Sequence, residues 1–518
     1  MMRTSVSGIS WCDQKFCTTT ASGVTMTAMA ARRRTAATRA AATARMSIRG
    51  RRAGTRAKMA SPTIVPITIV ARAVRATTIP STRGVSRRSR GWGSRQTVTF
   101  DTRVATVPGR LRWHPRCPAC NDELMPDLSS DDRPVSADSH VVEGPEVFAG
   151  LAERFGDEAP RVVHRPGGGD HIVIPSRGDG GVNVGLMALA ATRLDHARPL
   201  ERRPGHKPGT GSIEDPEIQA YLTGGYAALR PGLRDGARRA EDQDIDGLAA
   251  EVLYPGYFSM FSLRDVELLV ALQRNYNDWL ADHTRASNGR LIGLAALPVQ
   301  DPQRAVAELE RAIDLGHRGV VIPSNAPKGR RYCDPEFDPL WARAQEAGVP
   351  VSFHVGCFSH IPAWLKQSAG RDPITVYAGT ASLIHDTLVE LMCRGVCRRF
   401  PDLRFVVAEF NAGWIAHWLD RVDQGWRREY AKDPSGPAVE PVHEIWRRQF
   451  FATVEDDRAA LLTREMLGDE TLVWGSDYPH TDSTWPCSVA VLDEILADQP
   501  PATRSAITRD NVARLYGL

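Results

Sequence analysis

The chain has 518 residues, of which 42% are hydrophobic and 24% charged, with a net charge of +4. That average hides two unlike pieces: residues 1–124 carry 23 Lys/Arg against 4 Asp/Glu, which leaves 42 basic and 57 acidic residues for the rest. An acidic body argues against a nucleic-acid partner, which needs a concentrated basic surface, and no run of about 18 apolar residues exists to cross a membrane.

Residues 1–124 are rich in Arg, Thr, Ala and Ser and show neither helical nor strand periodicity around Ala31–Arg34 or Arg87–Arg90. Such a segment buries too little apolar surface to fold, and disorder is expected. Its acid-poor, Arg-rich composition mimics a transit peptide, but no apolar or amphipathic stretch supports one. The abrupt change in composition favours a start at Met125, with the upstream stretch a mis-called extension. The nine cysteines form no framework. Cys117 and Cys120 make a lone C-x-x-C without a second pair, while Cys333, Cys357, Cys393, Cys397 and Cys487 read as reduced thiols of a cytoplasmic protein.

From residue 125 short apolar runs alternate with amphipathic segments, the pattern of parallel βα units. Eight strands are predicted, over Val135–His140, Glu251–Tyr254, Leu291–Leu297, Gly319–Ile322, Pro350–His354, Arg404–Glu409, Gln449–Thr453 and Thr471–Asp477. Helices are predicted over Arg264–Thr284, Pro302–Leu315, Asp338–Glu346, Ser382–Arg399, Ala412–Arg421, Asp457–Leu467, Ser488–Ala497 and Ala502–Tyr516. Eight such units make an α/β protein of the (β/α)8 TIM-barrel type over residues 125–518. A long insertion, about 148–246, follows the first strand. It holds a predicted hairpin, His171–Pro175 with Val182–Leu186, around a Gly-rich turn. An insertion there leaves from the C-terminal face, where barrel active sites form, and reads equally as a lid or as a surface loop.

The chemistry gathers at strand ends. Asp138 and His140 end the first strand at i, i+2 spacing and therefore point the same way. His354 ends the fifth strand and Asp477 the eighth, which barrel closure places beside the first. Two carboxylates and two imidazoles so arranged suit one divalent cation, Zn2+ first, with Mn2+ or Fe2+ also fitting N/O donors. Glu143, His480 and Trp485 are candidates for contacting substrate or supporting a ligand. His385 and His417 fall in predicted helices and are taken as structural.

Ala137-Asp138-Ser139-His140-Val141-Val142-Glu143, His354, and Trp474-Gly475-Ser476-Asp477-Tyr478-Pro479-His480 together resemble the amidohydrolase superfamily. The similarity is to its amidohydrolase-related branch, which includes aminocarboxymuconate semialdehyde decarboxylase-like metal-dependent enzymes. The resemblance, over residues 134–518, implies metal ligands at Asp138, His140, His354 and Asp477, with Asp477 also moving protons. It implies one ion, because the fourth strand lacks the Lys that dinuclear members carbamylate. Where many decarboxylases of the branch have a His after strand six, this chain has Glu409, which can act as acid or base or pair with an Arg. The resemblance implies a carboxy-lyase (decarboxylase) acting on a small aromatic or unsaturated acid, with Asp477, His354 and Glu409 catalytic. A mononuclear hydrolase of C–N or C–O bonds and a non-catalytic ligand-binding barrel are the alternatives. The expected partner is a small organic acid or cyclic substrate, and the body is compatible with a homo-oligomer.

Overall fold

The computed structural model describes residues 131–178, 180–195, 202–368, 372–430 and 440–518. The expectations for residues 1–124 lie outside the described residues. Eleven strands run in chain order: β1 (Val135–His140), β2 (Arg161–Arg165), β3 (Gly169–Val173), β4 (Val182–Asn183), β5 (Ala250–Tyr254), β6 (Leu291–Ala296), β7 (Gly319–Ile322), β8 (Val351–His354), β9 (Phe405–Ala408), β10 (Phe450–Val454) and β11 (Leu472–Trp474). Eight form one parallel sheet in the order β1-β5-β6-β7-β8-β9-β10-β11. Every residue of those eight strands is buried, as expected for strands covered on both faces.

The sheet closes where β11 returns to β1. Beyond Trp474, the Asp477 amide donates to the Asp138 carbonyl at 2.8 Å and the His140 amide to the Tyr478 carbonyl at 2.7 Å. This seam departs from the expected eighth strand, Thr471–Asp477. Regular pairing with β10 stops at Trp474, and Asp477 has φ +54°, outside the extended region. Hydroxyls fill the seam: Ser139 and Ser476 lie 3.0 Å apart, and Ser136 Oγ accepts from the Ser476 amide. The β1–β5 register shifts between Ser136 and Ser139, a bulge that re-aims the side chains following it.

The helices begin where their sequences dictate. Asp265 caps Val266–Arg285 by accepting from the Glu267 and Leu268 amides, and Asp301 does the same for Pro302–Asp314. The long helix expected over Ser382–Arg399 is instead two, His385–Cys393 and Val396–Arg399, parted at Gly395 with φ +89°. A left-handed residue cannot continue a helix. The C-terminal helix expected over Ala502–Tyr516 runs on without interruption, Pro501–Ser505 passing through a π turn at Ala506–Asp510 into Asn511–Tyr516.

Within the insertion, β3 and β4 pair antiparallel as the expected hairpin, and β2 adds a third strand on the other edge of β3. Helices Pro216–Gly224 and Arg239–Asp246 follow. The insertion meets the loop after β11. The Ala190 amide donates to the Pro479 carbonyl. Buried Arg193 donates to the carbonyls of Thr481, Ser483 and Trp485 at 2.6–2.8 Å.

At the seam Gly475 leaves no room for a side chain, since a Cβ there would lie 2.5 Å from Asp138 Cβ. Gly475→Ala must part β1 from β11 at the point where both carry site residues. It is expected to cost about 1–3 kcal/mol in denaturant unfolding. Wild-type stability in this variant would contradict the close approach.

Candidate metal centre

Asp138 and His140 at the end of β1, His354 at the end of β8, and Asp477 past β11 are all fully buried. The bulge in β1 and the turn of Asp477 bring them together. His354 Nε2 is 3.3 Å and His140 Nε2 3.6 Å from Asp138 Oδ1, and His140 Nε2 is 3.2 Å from Asp477 Oδ1. The donors form two overlapping groups that share His140: Asp138–His140–His354, and His140–Glu409–Asp477–His480.

The protonation of the rings is fixed from behind. His140 Nδ1 lies 2.9 Å from the Pro255 carbonyl and His354 Nδ1 2.6 Å from the Val355 carbonyl. A carbonyl only accepts, so each Nδ1 carries a proton and each ring turns its Nε2 inward. Burial and the neighbouring His480 push the His140 pKa down to about 3, keeping it neutral. These inward atoms have no hydrogen-bond partner: His140 Nε2, His354 Nε2, both Asp138 oxygens and Asp477 Oδ2 are orphaned.

Converging acceptors without donors repel one another, and a cation relieves the repulsion. A tetrahedral ion with bonds of about 2.0–2.1 Å needs donors about 3.3 Å apart, and three donor pairs, His354–Asp138, His140–Asp138 and His140–Asp477, lie 3.2–3.6 Å apart. The residues present therefore fit a divalent ion.

The carboxylates differ in environment. Burial raises the Asp138 carboxyl, with His354 opposing it. Burial alone would also raise Asp477, but His480 outweighs it and holds Asp477 below the ordinary carboxylate range. His480 Nδ1 lies 2.9 Å from Asp477 Oδ1, and its ring stacks on His140 with centroids 3.8 Å apart.

Glu409 follows β9 with φ +62°, and its Oε2 lies 3.4 Å from His354 Nε2. Burial, with the charges of Asp477 and Asp138, raises its pKa well above the ordinary value. Its backbone is held by the Thr453 hydroxyl, and Asp457 fixes the following loop by accepting from the Ala412 and Gly413 amides. Of the two readings left open for Glu409, contact with the cluster is the one the geometry displays. A left-handed non-glycine residue at a strand end is costly, and both Glu409 and Asp477 carry that strain here.

Glu143 stands behind the cluster. Its carboxylate accepts from the Gly256 and Tyr257 amides at 2.9–3.0 Å. It thus fixes the turn whose Pro255 carbonyl orients His140. Trp485 is not brought to the cluster: its ring packs on Tyr478 and its indole N–H donates to the Asp242 carbonyl. His385 lies between Trp414 and Trp418, with centroids 4.8 and 5.7 Å away.

A cavity of about 210 Å³ opens beside Glu409, lined also by Tyr377, Phe410, Trp414, Glu455 and Asp482. Sequence reasoning singled out none of these five as site residues. Glu455 directly follows β10 and was findable by the strand-end rule that found His354. Tyr377 sits in a short helix, Pro373–Ala378, that no periodicity announces. Buried Arg239 was also missed. It pairs with Glu251 at 2.8 Å and donates to the His140 and Tyr478 carbonyls, tying β1 to the β11 loop.

The amidohydrolase family model matches residues 233–518, more than half of the chain, and the chain belongs to that family. The match begins after β1, so Asp138 and His140 are tied to the site by geometry. Among curated relatives, the chain is 24% identical over 254 residues to 2-amino-3-carboxymuconate-6-semialdehyde decarboxylase of Dictyostelium discoideum, covering 48% of this chain and 66% of that protein. That is just under two thirds of the relative's length. It is 24% identical over 297 residues to gamma-resorcylate decarboxylase of a Rhizobium species, covering 54% of this chain and 86% of that one. In fold it is similar to an amidohydrolase from Mycobacterium avium subsp. paratuberculosis K-10, with TM-score 0.58, 21% identity, and coverage of 74% and 98% of the two chains.

Removing a cluster member should have consequences that depend on which one goes. His354→Ala deletes a donor and is expected to lose metal in elemental analysis while the barrel persists by circular dichroism. Asp477→Asn keeps shape and one coordinating oxygen but cannot take up a proton. It is expected to keep part of the metal and lose on the order of 10²-fold or more in turnover. Near-normal turnover of metal-loaded Asp477→Asn would leave Asp477 a structural ligand at most.

Proposed function

We propose that the chain is a mononuclear metal-dependent carboxy-lyase acting on a small aromatic or unsaturated carboxylic acid. The observation that carries this reading is the set of orphaned, converging donors at Asp138, His140, His354 and Asp477 beside a cavity. The two curated relatives are both decarboxylases, which gives the direction. Those four residues would hold one ion, Zn2+ by the N/O donor set, with Mn2+ or Fe2+ also suited. When bound, it supplies a positive charge for the substrate carboxylate and for the negative charge that develops as CO2 departs.

The chain's own groups do the rest. The bond between the carboxyl group and its carbon breaks, CO2 leaves, and the electron pair remains on that carbon, which must gain a proton. Asp477 or Glu409 would supply it: Glu409 is raised well above the ordinary carboxyl range and keeps its proton, whereas Asp477, held ionised, would first have to take one up. His480 Nδ1 donates to Asp477 Oδ1, the oxygen that also lies 3.2 Å from His140 Nε2, and Oδ2 is buried without a hydrogen-bond partner. Glu409 reaches from the cavity to His354. His354 orients the reacting end, and Phe410 and Trp414 offer apolar area along the cavity.

Hydrolysis of a C–N or C–O bond is the second reading, favoured by the acidic side chain of Glu409 where a His is common in decarboxylases of the branch. A non-catalytic barrel is disfavoured because all four donors are present and oriented. Five cysteines, Cys333, Cys357, Cys393, Cys397 and Cys487, are free thiols, which supports a cytoplasmic setting. No described helix is long and apolar enough to cross a membrane.

Incubation of metal-loaded protein with aromatic and unsaturated acids is expected to release CO2 in step with loss of substrate. Hydrolysis products without CO2 would replace the carboxy-lyase reading with the hydrolytic one. The barrel body is also proposed to be self-sufficient. A chain beginning at Met125 is expected to retain solubility and metal content, and loss of either would make residues 1–124 part of the folded unit.

A further inference from the structure

Asp477 holds a left-handed backbone, φ +54°, which a residue with a side chain keeps only where its surroundings impose it. Tyr478, the residue that follows, is fully buried and is held by its backbone, its ring and its hydroxyl. Its carbonyl accepts from the His140 amide at 2.7 Å and from Arg239 Nη2 at 3.4 Å. The Arg239 guanidinium lies over its ring, 4.5 Å from the centroid, and the Trp485 ring packs against it with centroids 4.9 Å apart. Its hydroxyl donates to Asp242 Oδ2 at 2.7 Å.

Arg239 and Asp242 stand three residues apart on helix Arg239–Asp246 of the insertion, so they share one face of it. Each is fixed in turn. Glu251 of β5 pairs with Arg239 at 2.8 and 3.0 Å, and Gln243 of the same helix donates to that carboxylate. Arg230 pairs with Asp242 Oδ1 at 2.7–2.8 Å, while Oδ2 takes the tyrosine. A cation over a ring face and a charged acceptor at its tip are directional, and both gain strength where water is excluded. Together they fix where the Tyr478 ring sits and how it is turned. A shift of that ring would swing the peptide joining it to Asp477, whose Oδ1 lies 3.2 Å from His140 Nε2.

We propose that Tyr478, gripped by Arg239 and Asp242, is a positioning residue that sets Asp477 for metal binding. The insertion helix thereby governs the metal centre through one tyrosine. The inference rests on the reading of Asp477 as a metal ligand. The contacts call for a phenol, because phenylalanine keeps the ring but removes the donor that Asp242 Oδ2 receives.

The test is the rate at which a chelator removes Zn2+ from the full chain, read beside the midpoint of urea unfolding. Loss of an outer partner of a metal ligand costs roughly 10–100-fold in metal affinity, so Tyr478→Phe is expected to release Zn2+ about tenfold faster or more. Asp242→Ala removes the other half of the same bond and is expected to do likewise, with the double variant no faster than the faster single one. Asp242→Asn keeps an acceptor oxygen and is expected to recover most of the retention. Leu391→Ala, in the core cluster to which Tyr478 does not belong, is the control for stability. Its midpoint is expected to fall while its release rate stays at the wild-type value. Wild-type release from both Tyr478→Phe and Asp242→Ala, effects that simply add in the double variant, or release from Leu391→Ala quickened as much as in Tyr478→Phe would overturn the inference and leave the ligand reading intact. A wild-type chain that retains no Zn2+ would overturn both.

Discussion

Repulsion between buried acceptors organises the top of this barrel. Two aspartates and two histidines converge, three of their donor pairs lying 3.2–3.6 Å apart, and their inward atoms have no hydrogen-bond partner. Burying a carboxylate without a partner costs several kcal/mol; His480 offsets that cost for Asp477, while neither oxygen of Asp138 has a hydrogen-bond partner. A fold that keeps such a cluster must either neutralise it or hold it rigidly enough that it cannot relax, and a divalent ion does the first while the surroundings do the second. The backbone carbonyls of Pro255 and Val355 dictate which ring nitrogen faces inward, so each imidazole presents its Nε2 before anything binds.

The rigidity comes from elements far apart in sequence. Glu143 holds the turn that orients His140, and Arg239 bridges the His140 and Tyr478 carbonyls beneath the centre. Arg193 gathers three carbonyls of the loop that follows Asp477. Two of these three residues belong to the insertion between β1 and β5, so that segment is part of the support of the metal centre. Its Lys207 also reaches the cavity wall through Glu455. The strained backbones of Asp477 and Glu409 are tolerated because such contacts over-determine them.

The sequence displayed the barrel clearly because strands buried on both faces must be apolar, and all eight predicted strands have counterparts at nearly the same residues. It displayed His354 because strand ends at the C-terminal face are where function collects. It did not display the exact end of β11 or the turn at Glu409, since a left-handed Asp or Glu is chosen by tertiary context against local preference. The break at Gly395 and the π turn in the last helix were hidden by continuous amphipathic periodicity. The strand Arg161–Arg165 was missed because three of its five residues are Arg or His and its face is largely exposed. The cavity wall was hidden for another reason. Tyr377, Glu455 and Asp482 come from three separate loops or short helices, and only folding makes them neighbours.

The central claim is that one divalent ion resolves the buried cluster. Anomalous X-ray diffraction from crystals of the purified protein, collected on either side of the absorption edge of each candidate metal, tests it most directly. The account predicts a single anomalous peak per chain, bounded by Asp138, His140, His354 and Asp477. Two peaks, a peak bounded by other residues, or metal-supplemented crystals with no peak at the cluster would contradict it.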